Sequence, residues 1–182
     1  QVVVISAMKG VTDALIALVK QAAGGDAAWK AGLEKLARQH DDAAVALLGD
    51  KVTPARERYA SEFAALRDLL HAQELVGAVS PDLLDLVSGL GEVWSSYIVH
   101  LALLARGAPS RWLDAREVLV VDKTELGAMV DWKRSSAQLA AKHGAPGPRT
   151  IVTGFVARTG DGRITTLGRN GSDYSGAIFA AL

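Results

Sequence analysis

The pattern of apolar residues at the start of the chain changes from a continuous run to a helical period. Residues 1–5 form a short β-branched run, which is typical of a strand covered on both faces. A turn over residues 6–10 follows, and we expect Thr12 or Asp13 to cap a helix that continues to about Ala23. Two glycines then end this helix.

The segment from about residue 26 to residue 107 shows no clear strand, and its apolar residues recur at helical spacing. Pro54 and Pro81 lie where first helical turns would begin, a position that tolerates the missing N–H group. We expect the last of these helices to continue from Leu83 to a stop at Gly107. The pattern therefore predicts a mainly helical segment.

Strand-like segments return after this helical part. An amphipathic pattern over residues 132–142 predicts one further helix, and a Gly160-Asp161-Gly162 turn separates the last two strand-like runs. The expected strands or edge segments cover residues 110–113, 118–121, 149–157 and 164–167. Strands that alternate with helices predict an α/β fold in which a layered sheet has flanking helices and a helical insertion.

Composition narrows the classes of function. Lys plus Arg equals Asp plus Glu at 20 each, so the basic excess that is usual in nucleic-acid-binding proteins is missing. The chain has no cysteine, and its four histidines are scattered, so we expect no metal site. We see no apolar run that approaches the roughly 20 residues needed to span a bilayer. We therefore expect neither a nucleic-acid partner nor a membrane partner.

The ends of the chain suggest that it belongs to something longer. Gln1 already enters an apolar strand, and Leu182 lies within a predicted helix. Domains seldom begin and end inside core elements, because burial there depends on what precedes and follows them. We expect residues 1–182 to form a single partial domain, with the helical segment at about 26–107.

The segment most suggestive of chemistry is a glycine loop between a strand and a helix, residues 165–175. Ser172 is expected to cap a helix from Asp173 onward, and the N–H groups and dipole of a helix N-terminus favour an anion. Arg169 adds a planar fork that can hold a carboxylate through two hydrogen bonds. An ordinary turn with a surface Arg169 would give the same pattern.

Two further segments are candidates. The opening turn, with Ser6 and Thr12, places hydroxyl groups at the sheet end where α/β proteins usually bind ligands, although both residues could simply be caps. Gly89 and Gly91 interrupt a helical pattern beside Glu92, a carboxylate among apolar neighbours that needs a partner such as an ammonium group. A surface glutamate at a helix start is the alternative.

Five segments together and in this order resemble aspartate kinases of the amino-acid kinase family, most closely the kinase part of bifunctional aspartate kinase–homoserine dehydrogenases. They are VVVISAMKGVTDALI, GLGEVWSSY, WLDAREVL, IVTGFVAR and TTLGRNGSDYSGA. The resemblance is faint between about residues 26 and 81. It implies a three-layer α/β sheet and the transfer of a phosphoryl group from ATP to L-aspartate.

Carried over residue by residue, the resemblance places the family's substrate-binding threonine at Thr12, in a loop that also contributes Ser6 and Ala7. The aspartate-binding glutamate falls on Glu92, and Phe155 matches a residue that lines the substrate pocket. Each of these roles is implied by the resemblance.

The glycine loop carries the remaining matches. Arg169 matches the arginine that clamps the α-carboxylate of the substrate, and Asn170, Gly171 and Ser172 line the same loop. Asp173 matches an acidic residue near the amino group and the transferred phosphoryl group, and is the catalytic candidate.

The chain also departs from the family. Asp13 stands where relatives often carry asparagine, and Lys9 is a second departure. We find neither the family's Lys-Phe-Gly-Gly strand nor its Thr-Asp-Val-Asp-Gly region, so ATP and Mg²⁺ are expected to bind mostly outside this chain, which alone should be inactive. The resemblance further implies lysine, threonine and methionine biosynthesis, a homo-oligomeric parent enzyme and a cytoplasmic location.

Two alternatives to an aspartate kinase stay open. The chain could be a non-catalytic or degenerate module that binds aspartate without transferring a phosphoryl group. It could also be a kinase for another amino acid, such as glutamate. Comparing aspartate and glutamate as substrates would separate the second alternative from the main hypothesis.

Overall fold

The structure, a computed structural model, describes residues 1–125, 127–144, 149–168 and 170–182. Seven helices and seven strands occur in these ranges. The helices are α1 (Val11–Ala23), α2 (Ala28–Leu48), α3 (Thr53–Val76), α4 (Pro81–Ser88), α5 (Leu90–Ala105), α6 (Trp132–His143) and α7 (Gly171–Ala181). The strands are β1 (Val2–Ile5), β2 (Arg111–Leu113), β3 (Val120–Thr124), β4 (Gly127–Val130), β5 (Thr150–Thr153), β6 (Val156–Thr159) and β7 (Ile164–Thr166). The predicted α/β class with flanking helices is confirmed.

The described strands form two sheets. One has the order β1-β5-β2, with both pairs parallel, and its middle strand β5 is buried along its whole length. The other has the order β4-β3-β6-β7, in which only β3 and β6 are parallel. Strand β1 is only partly buried, so the prediction that it is covered on both faces is wrong within the described residues.

Two apolar cores correspond to the helical and the sheet-containing parts. Helices α1 to α5 enclose the first core, around Leu15, Leu33 and Trp94. The second core lies between strands and α7, around Val152 and Ile178. Between α1 and β2 the structure contains only helices and one short 3₁₀ turn.

Several predicted boundaries need correction. The β-rich run at 149–157 is two strands in different sheets, because Phe155 adopts a left-handed conformation with φ of 65° between them. The single helix expected from Leu83 to Gly107 is divided at Gly89, where an added Cβ would lie 2.3 Å from a methyl carbon of Val156. Close approach to β6 therefore selects glycine there.

Two predicted helix caps are also wrong. Helix α1 begins at Val11, after Gly10 with φ of 78°, so neither Thr12 nor Asp13 caps it. Helix α7 begins at Gly171 after a left-handed Asn170, without a side-chain cap. Ser172 therefore lies in the first turn. In both cases a residue that adopts positive φ brings the chain into the helix.

On length and composition alone, one described segment could cross a membrane. It is the 25-residue stretch Pro81–Ala105, which the sequence expectation overlooked because its apolar residues are not contiguous. Of its most apolar window, 61% is buried inside the protein, which is typical of a core helix.

Candidate active site

The candidate site lies at the carboxyl edge of the parallel sheet. Strands β1 and β5 are in register with Ile5 opposite Thr153, so the turns that follow them are neighbours. The amide of Gly154 donates to the carbonyl of Ile5 at 2.9 Å, which fixes the two turns together. Ligands of open α/β sheets commonly bind at this edge.

Helix α7 starts against the same edge. A Cβ added to Gly154 would lie 2.8 Å from Ser172 Oγ and 3.1 Å from the carbonyl oxygen of Ile5. The amide of Phe155 donates to Ser175 Oγ at 2.9 Å, so the backbone after β5 is tied to the first turns of α7. Glycine at 154 is therefore required for this close approach.

A cavity of about 660 Å³ opens at this place. It is bounded by the turns after β1 and β5, one face of α1, helix α4, the start of α5 and the first turn of α7. The predicted site residues that line it are Ser6, Thr12, Glu92, Phe155, Asn170, Gly171, Ser172 and Asp173. Segments more than 160 positions apart in the sequence thus meet in one cavity.

The two remaining predicted residues differ in status. Ala7 does not line the cavity, but its backbone hydrogen-bonds the carboxyl group of Glu92. Arg169 lies outside the described residues, so its predicted contact with a carboxylate stays a prediction.

Glu92 is the most unusual group in the cavity. Its side chain is only 4% exposed, although it lines the cavity. Burial raises the pKa of its carboxyl group to about 7, and the hydrogen bond from the backbone of Ala7 opposes this rise. Its Oε2 atom has no hydrogen-bond partner among the described residues. A buried carboxylate of this kind needs a cationic partner, which a ligand in the cavity could supply.

Close packing holds the helix that carries Glu92. A Cβ on Gly91 would lie 2.8 Å from Ala7 Cβ and 2.9 Å from Val11 Cγ1, so only glycine lets α5 approach α1 this closely. Ser95, one turn after Glu92, donates to the carbonyl of Ser6 at 2.6 Å. The glycines beside Glu92 therefore serve packing, and packing fixes the carboxyl group in place.

The first turn of α7 is the anion-favouring part of the site. Asn170 turns the chain with φ of 59°, and the next three residues all line the cavity. A Cβ on Gly171 would lie 2.6 Å from Phe155 Cδ2, so the helix starts directly against this ring. The N–H groups in a first helical turn have no intrahelical partners and are available to an anion.

Sequence reasoning missed several lining residues. They are Ile16 and Lys20 on α1, Leu84, Asp85 and Ser88 on α4, and Thr166 and Gly168 beside the glycine loop. Their spacing was informative, since Thr12, Ile16 and Lys20 recur every four residues, as do Leu84, Ser88 and Glu92. Such spacing places residues on one helical face, but it does not tell which faces share a cavity.

Lys9, in the turn before α1, is exposed and does not line the cavity. Among the described residues no group of three His, Asp or Glu side chains could hold a metal ion. The described charges that line the cavity are Asp13, Lys20, Asp85, Glu92 and Asp173. This excess of carboxylates suits a ligand that carries a cationic group.

The model of the amino acid kinase family matches residues 1–182, the whole chain. The chain belongs to the amino acid kinase family. Among curated amino acid kinase relatives, a bifunctional aspartokinase/homoserine dehydrogenase 1 of Zea mays is 34% identical over 100% of this chain and 20% of its own length. A bifunctional aspartokinase/homoserine dehydrogenase 2 of Escherichia coli is 43% identical over 53% of this chain and 12% of its own length.

Solved structures of an aspartokinase have the same fold as this chain. Escherichia coli aspartokinase III in complex with aspartate and ADP superposes with a TM-score of 0.85 at 28% identity, covering 99% of this chain and 39% of that one. The same enzyme in complex with lysine and aspartate gives a TM-score of 0.83 at 29% identity, covering 98% of this chain and 39% of that one. The chain thus spans a fifth of the length of the first curated relative.

Proposed function

We propose that the protein is an aspartate kinase, which transfers a phosphoryl group from ATP to the side-chain carboxylate of L-aspartate. The observation that carries this proposal is the buried, unpartnered carboxyl oxygen of Glu92 in the same cavity as the first turn of α7. One end of the site favours an ammonium group, and the other favours a carboxylate. Aspartokinase relatives and the aspartate-bound neighbour support the choice of substrate.

Each charged group of the substrate has a counterpart in the proposal. The ammonium group would pair with Glu92, whose carboxyl group would then be ionised. The α-carboxylate would bind at the first turn of α7 with Arg169, whose role rests on the family resemblance. Ser6, Thr12, Asn170 and Ser172 supply polar groups around the substrate.

The proposed reaction needs alignment more than proton transfer. The attacking β-carboxylate of aspartate is already ionised at neutral pH, so no general base is required. ATP, when bound, supplies the transferred phosphoryl group, and Mg²⁺ would neutralise its charge. The residues of this chain would hold the nucleophile, with Asp173 at the edge of the cavity near the reacting groups. The described residues alone do not form a metal site, so metal and nucleotide would be held mainly by residues outside this chain.

The proposed activity has consequences for pathway, location and oligomeric state. It places the protein in the biosynthesis of lysine, threonine and methionine, as a cytoplasmic homo-oligomer. Several matching relatives are chloroplastic and others are bacterial, so the relatives do not decide the location, which is a proposal.

The proposal is tested by steady-state kinetics of the full-length protein with ATP and either aspartate or glutamate. We expect ATP-dependent aspartyl phosphate, trapped as the hydroxamate, and no comparable product from glutamate. Glu92→Gln should raise the KM for aspartate at least about tenfold, since an ionic hydrogen-bonded contact is lost. Glu34→Gln, on the exposed face of α2, is the matched control and should behave as the wild type.

Three outcomes would contradict the proposal. Equal or better use of glutamate would favour a kinase for another amino acid. Aspartate binding without phosphoryl transfer in the full-length protein would favour a non-catalytic module. An unchanged KM for aspartate in Glu92→Gln would remove the assigned role of this residue.

A further inference from the structure

Asp85 joins helix α4 to the end of strand β7 through a set of hydrogen bonds. Its Oδ2 atom accepts a hydrogen bond from Thr165 Oγ1 at 2.9 Å, and its Oδ1 atom accepts one from Thr166 Oγ1 at 3.2 Å. Lys123, on β3, forms an ion pair with the same carboxylate. The carboxylate is 21% exposed and its two threonine hydrogen bonds are partly buried, whereas Lys123 is 42% exposed.

The two elements joined in this way lead to the two ends of the cavity. Helix α4 ends at Ser88, and Glu92 follows four residues later on α5. Strand β7 ends at Thr166, and the glycine loop that begins α7 follows directly. The spacing between Glu92 and the first turn of α7 therefore depends on how α4 is held against β7.

Adjacent residues of a strand normally face opposite sides, so it is unusual for one carboxylate to bind the side chains of both Thr165 and Thr166. The contact occurs at the last residues of β7, where the strand gives way to the loop. Nearby, Gly89 packs against Val156 of β6, so α4 and α5 meet the same hairpin at two points. The contact at Gly89 is apolar, and the carboxylate of Asp85 supplies the polar contact.

We infer that Asp85 is a positioning residue for substrate binding, which sets the separation between Glu92 and the glycine loop by fixing α4 to β7. This inference rests on the proposed aspartate kinase function. Lys123 neutralises the charge of Asp85, so the residue can line the cavity without competing with Glu92 for the ammonium group of the substrate.

Thr165 distinguishes positioning from direct contact with the substrate. Asp85 and Thr166 both line the cavity, but Thr165 is only 1% exposed and does not line it. Valine has nearly the shape of threonine and lacks the hydroxyl group that donates to Asp85. An effect of Thr165→Val on substrate binding would therefore have to pass through Asp85.

The test is a double-mutant cycle in the full-length protein with Asp85→Asn and Thr165→Val, measuring kcat and KM for aspartate and for ATP. We expect KM for aspartate to rise about tenfold in Asp85→Asn and about threefold in Thr165→Val, with KM for ATP within about twofold of wild type. The double variant should show less than the combined effects of the two single changes, because both weaken the same contact. Asp82→Asn, an exposed carboxylate on the same helix that pairs with Arg163, is the matched control and should not change KM for aspartate.

Other results would overturn the inference. An unchanged KM for aspartate in Asp85→Asn, or an equal rise in KM for ATP, would show that the residue does not position the aspartate site. Strictly additive effects would show that Thr165 does not act through Asp85. If Asp85→Asn does not fold, Thr165→Val decides alone, and an unchanged KM for aspartate then refutes the inference. A wild-type protein that does not phosphorylate aspartate would refute the proposed function and this inference together.

Discussion

At the scale of single residues, Glu92 combines burial with an incomplete set of partners. Buried carboxylates in folded proteins are normally hydrogen-bonded or paired, because an isolated charge is costly to bury. Here one carboxyl oxygen has no partner among the described residues, and burial raises the pKa to about 7. The ionised form of such a group is destabilised by burial, and a cationic ligand beside it would stabilise this form.

This cost leads to a pH-dependent prediction for Glu92→Gln. The pKa of the carboxyl group is about 7 when folded and 4.5 in an unperturbed glutamate, so the wild type loses stability as pH rises from about 4.5 through 7. Glutamine has no charge to bury, so without ligand the free energy of unfolding of the variant should rise relative to that of the wild type over this range, by on the order of 3 kcal/mol at pH 8. Denaturant unfolding of the full-length protein at pH 5 and pH 8 measures this. A difference that is the same at both pH values would contradict the raised pKa.

A pair of glycines in α7 provides a steric prediction. A Cβ on Gly171 would lie 2.6 Å from Phe155 Cδ2, whereas a Cβ on Gly176 would meet nothing within 4 Å. Gly171→Ala should therefore displace the first turn of α7 and raise the KM for aspartate. Gly176→Ala should leave KM unchanged and stabilise the helix by up to about 1 kcal/mol. Thermal unfolding and kinetics of both variants check this, and equal effects of the two substitutions would contradict it.

Residue patterns reveal much of this site but not all of it. The predicted residues from Ser6 to Asp173 that the structure describes line one cavity or, in the case of Ala7, hydrogen-bond a lining residue, but only Ser6, Ala7 and Phe155 follow strands of the parallel sheet. Asp85 escaped prediction because its role depends on a hydrogen bond to Thr165, which is 80 positions away. A single sequence carries no signal for contacts of that range.

At the scale of elements, the helical part is organised around a buried aromatic cluster. The ring of His40 on α2 lies 4.8 Å from that of Trp94 on α5, and Tyr59 and Phe63 of α3 are its other ring neighbours. His40 donates through Nδ1 to the Leu36 carbonyl, which can only accept, and its Nε2 atom has no partner among the described residues. A proton on the buried, unpartnered Nε2 would lack an acceptor, and burial lowers the pKa of His40, so the neutral ring is favoured.

The cluster predicts a loss of stability in mild acid. Burial lowers the pKa of His40 below its ordinary value of 6.5, so only the unfolded state takes up a proton as pH falls through 6.5. Stability contributed by the neutral ring is therefore present above pH 6.5 and lost below it. The thermal midpoint of the full-length protein should therefore fall between pH 7.5 and pH 5.5. This fall should be smaller in His40→Leu than in the wild type.

His71→Leu is the matched control for this prediction, since the side chain of His71 on α3 is 64% exposed. It should keep the wild-type pH dependence. An identical fall in the midpoint for the wild type and His40→Leu would show that protonation of His40 does not contribute.

Elements with strong local signals were predicted well, and those decided by tertiary contacts were not. Helices α1 and α6 and the turn at 160–162 follow from periodicity and glycine positions. Strand β4 was not predicted because, among the described strands, its four residues pair only with β3, and they bury no continuous apolar face. The left-handed Phe155 could not be foreseen either, since its bonds to Ser175 and Leu167 hold it in place.

At the scale of the whole molecule, the described chain covers one side of the proposed reaction. It spans 20% of the first curated relative and 39% of the aspartokinase III chain. The described part of the chain gathers groups suited to the acceptor and contains no cluster of metal ligands. As the family resemblance implies, we propose that nucleotide binding depends mainly on other parts of the full-length protein.

This division predicts that the 182-residue chain alone has negligible kinase activity, while the full-length protein is active. The physical reason is that the reacting phosphoryl group must be aligned and its charge neutralised by groups that lie mainly elsewhere. Hydroxamate trapping of aspartyl phosphate, with both proteins at equal concentration, measures the difference. Comparable turnover by the isolated chain would show that the nucleotide site is contained in these residues.

The most direct test of the account is the affinity of the full-length protein for aspartate and for succinate, measured by calorimetry with wild type and Glu92→Gln. Succinate has the two carboxylates of aspartate and lacks the ammonium group. The wild type is expected to prefer aspartate by at least about tenfold, and Glu92→Gln is expected to lose most of this preference. An equal preference for aspartate in both proteins would show that Glu92 does not bind the ammonium group, and would contradict the account.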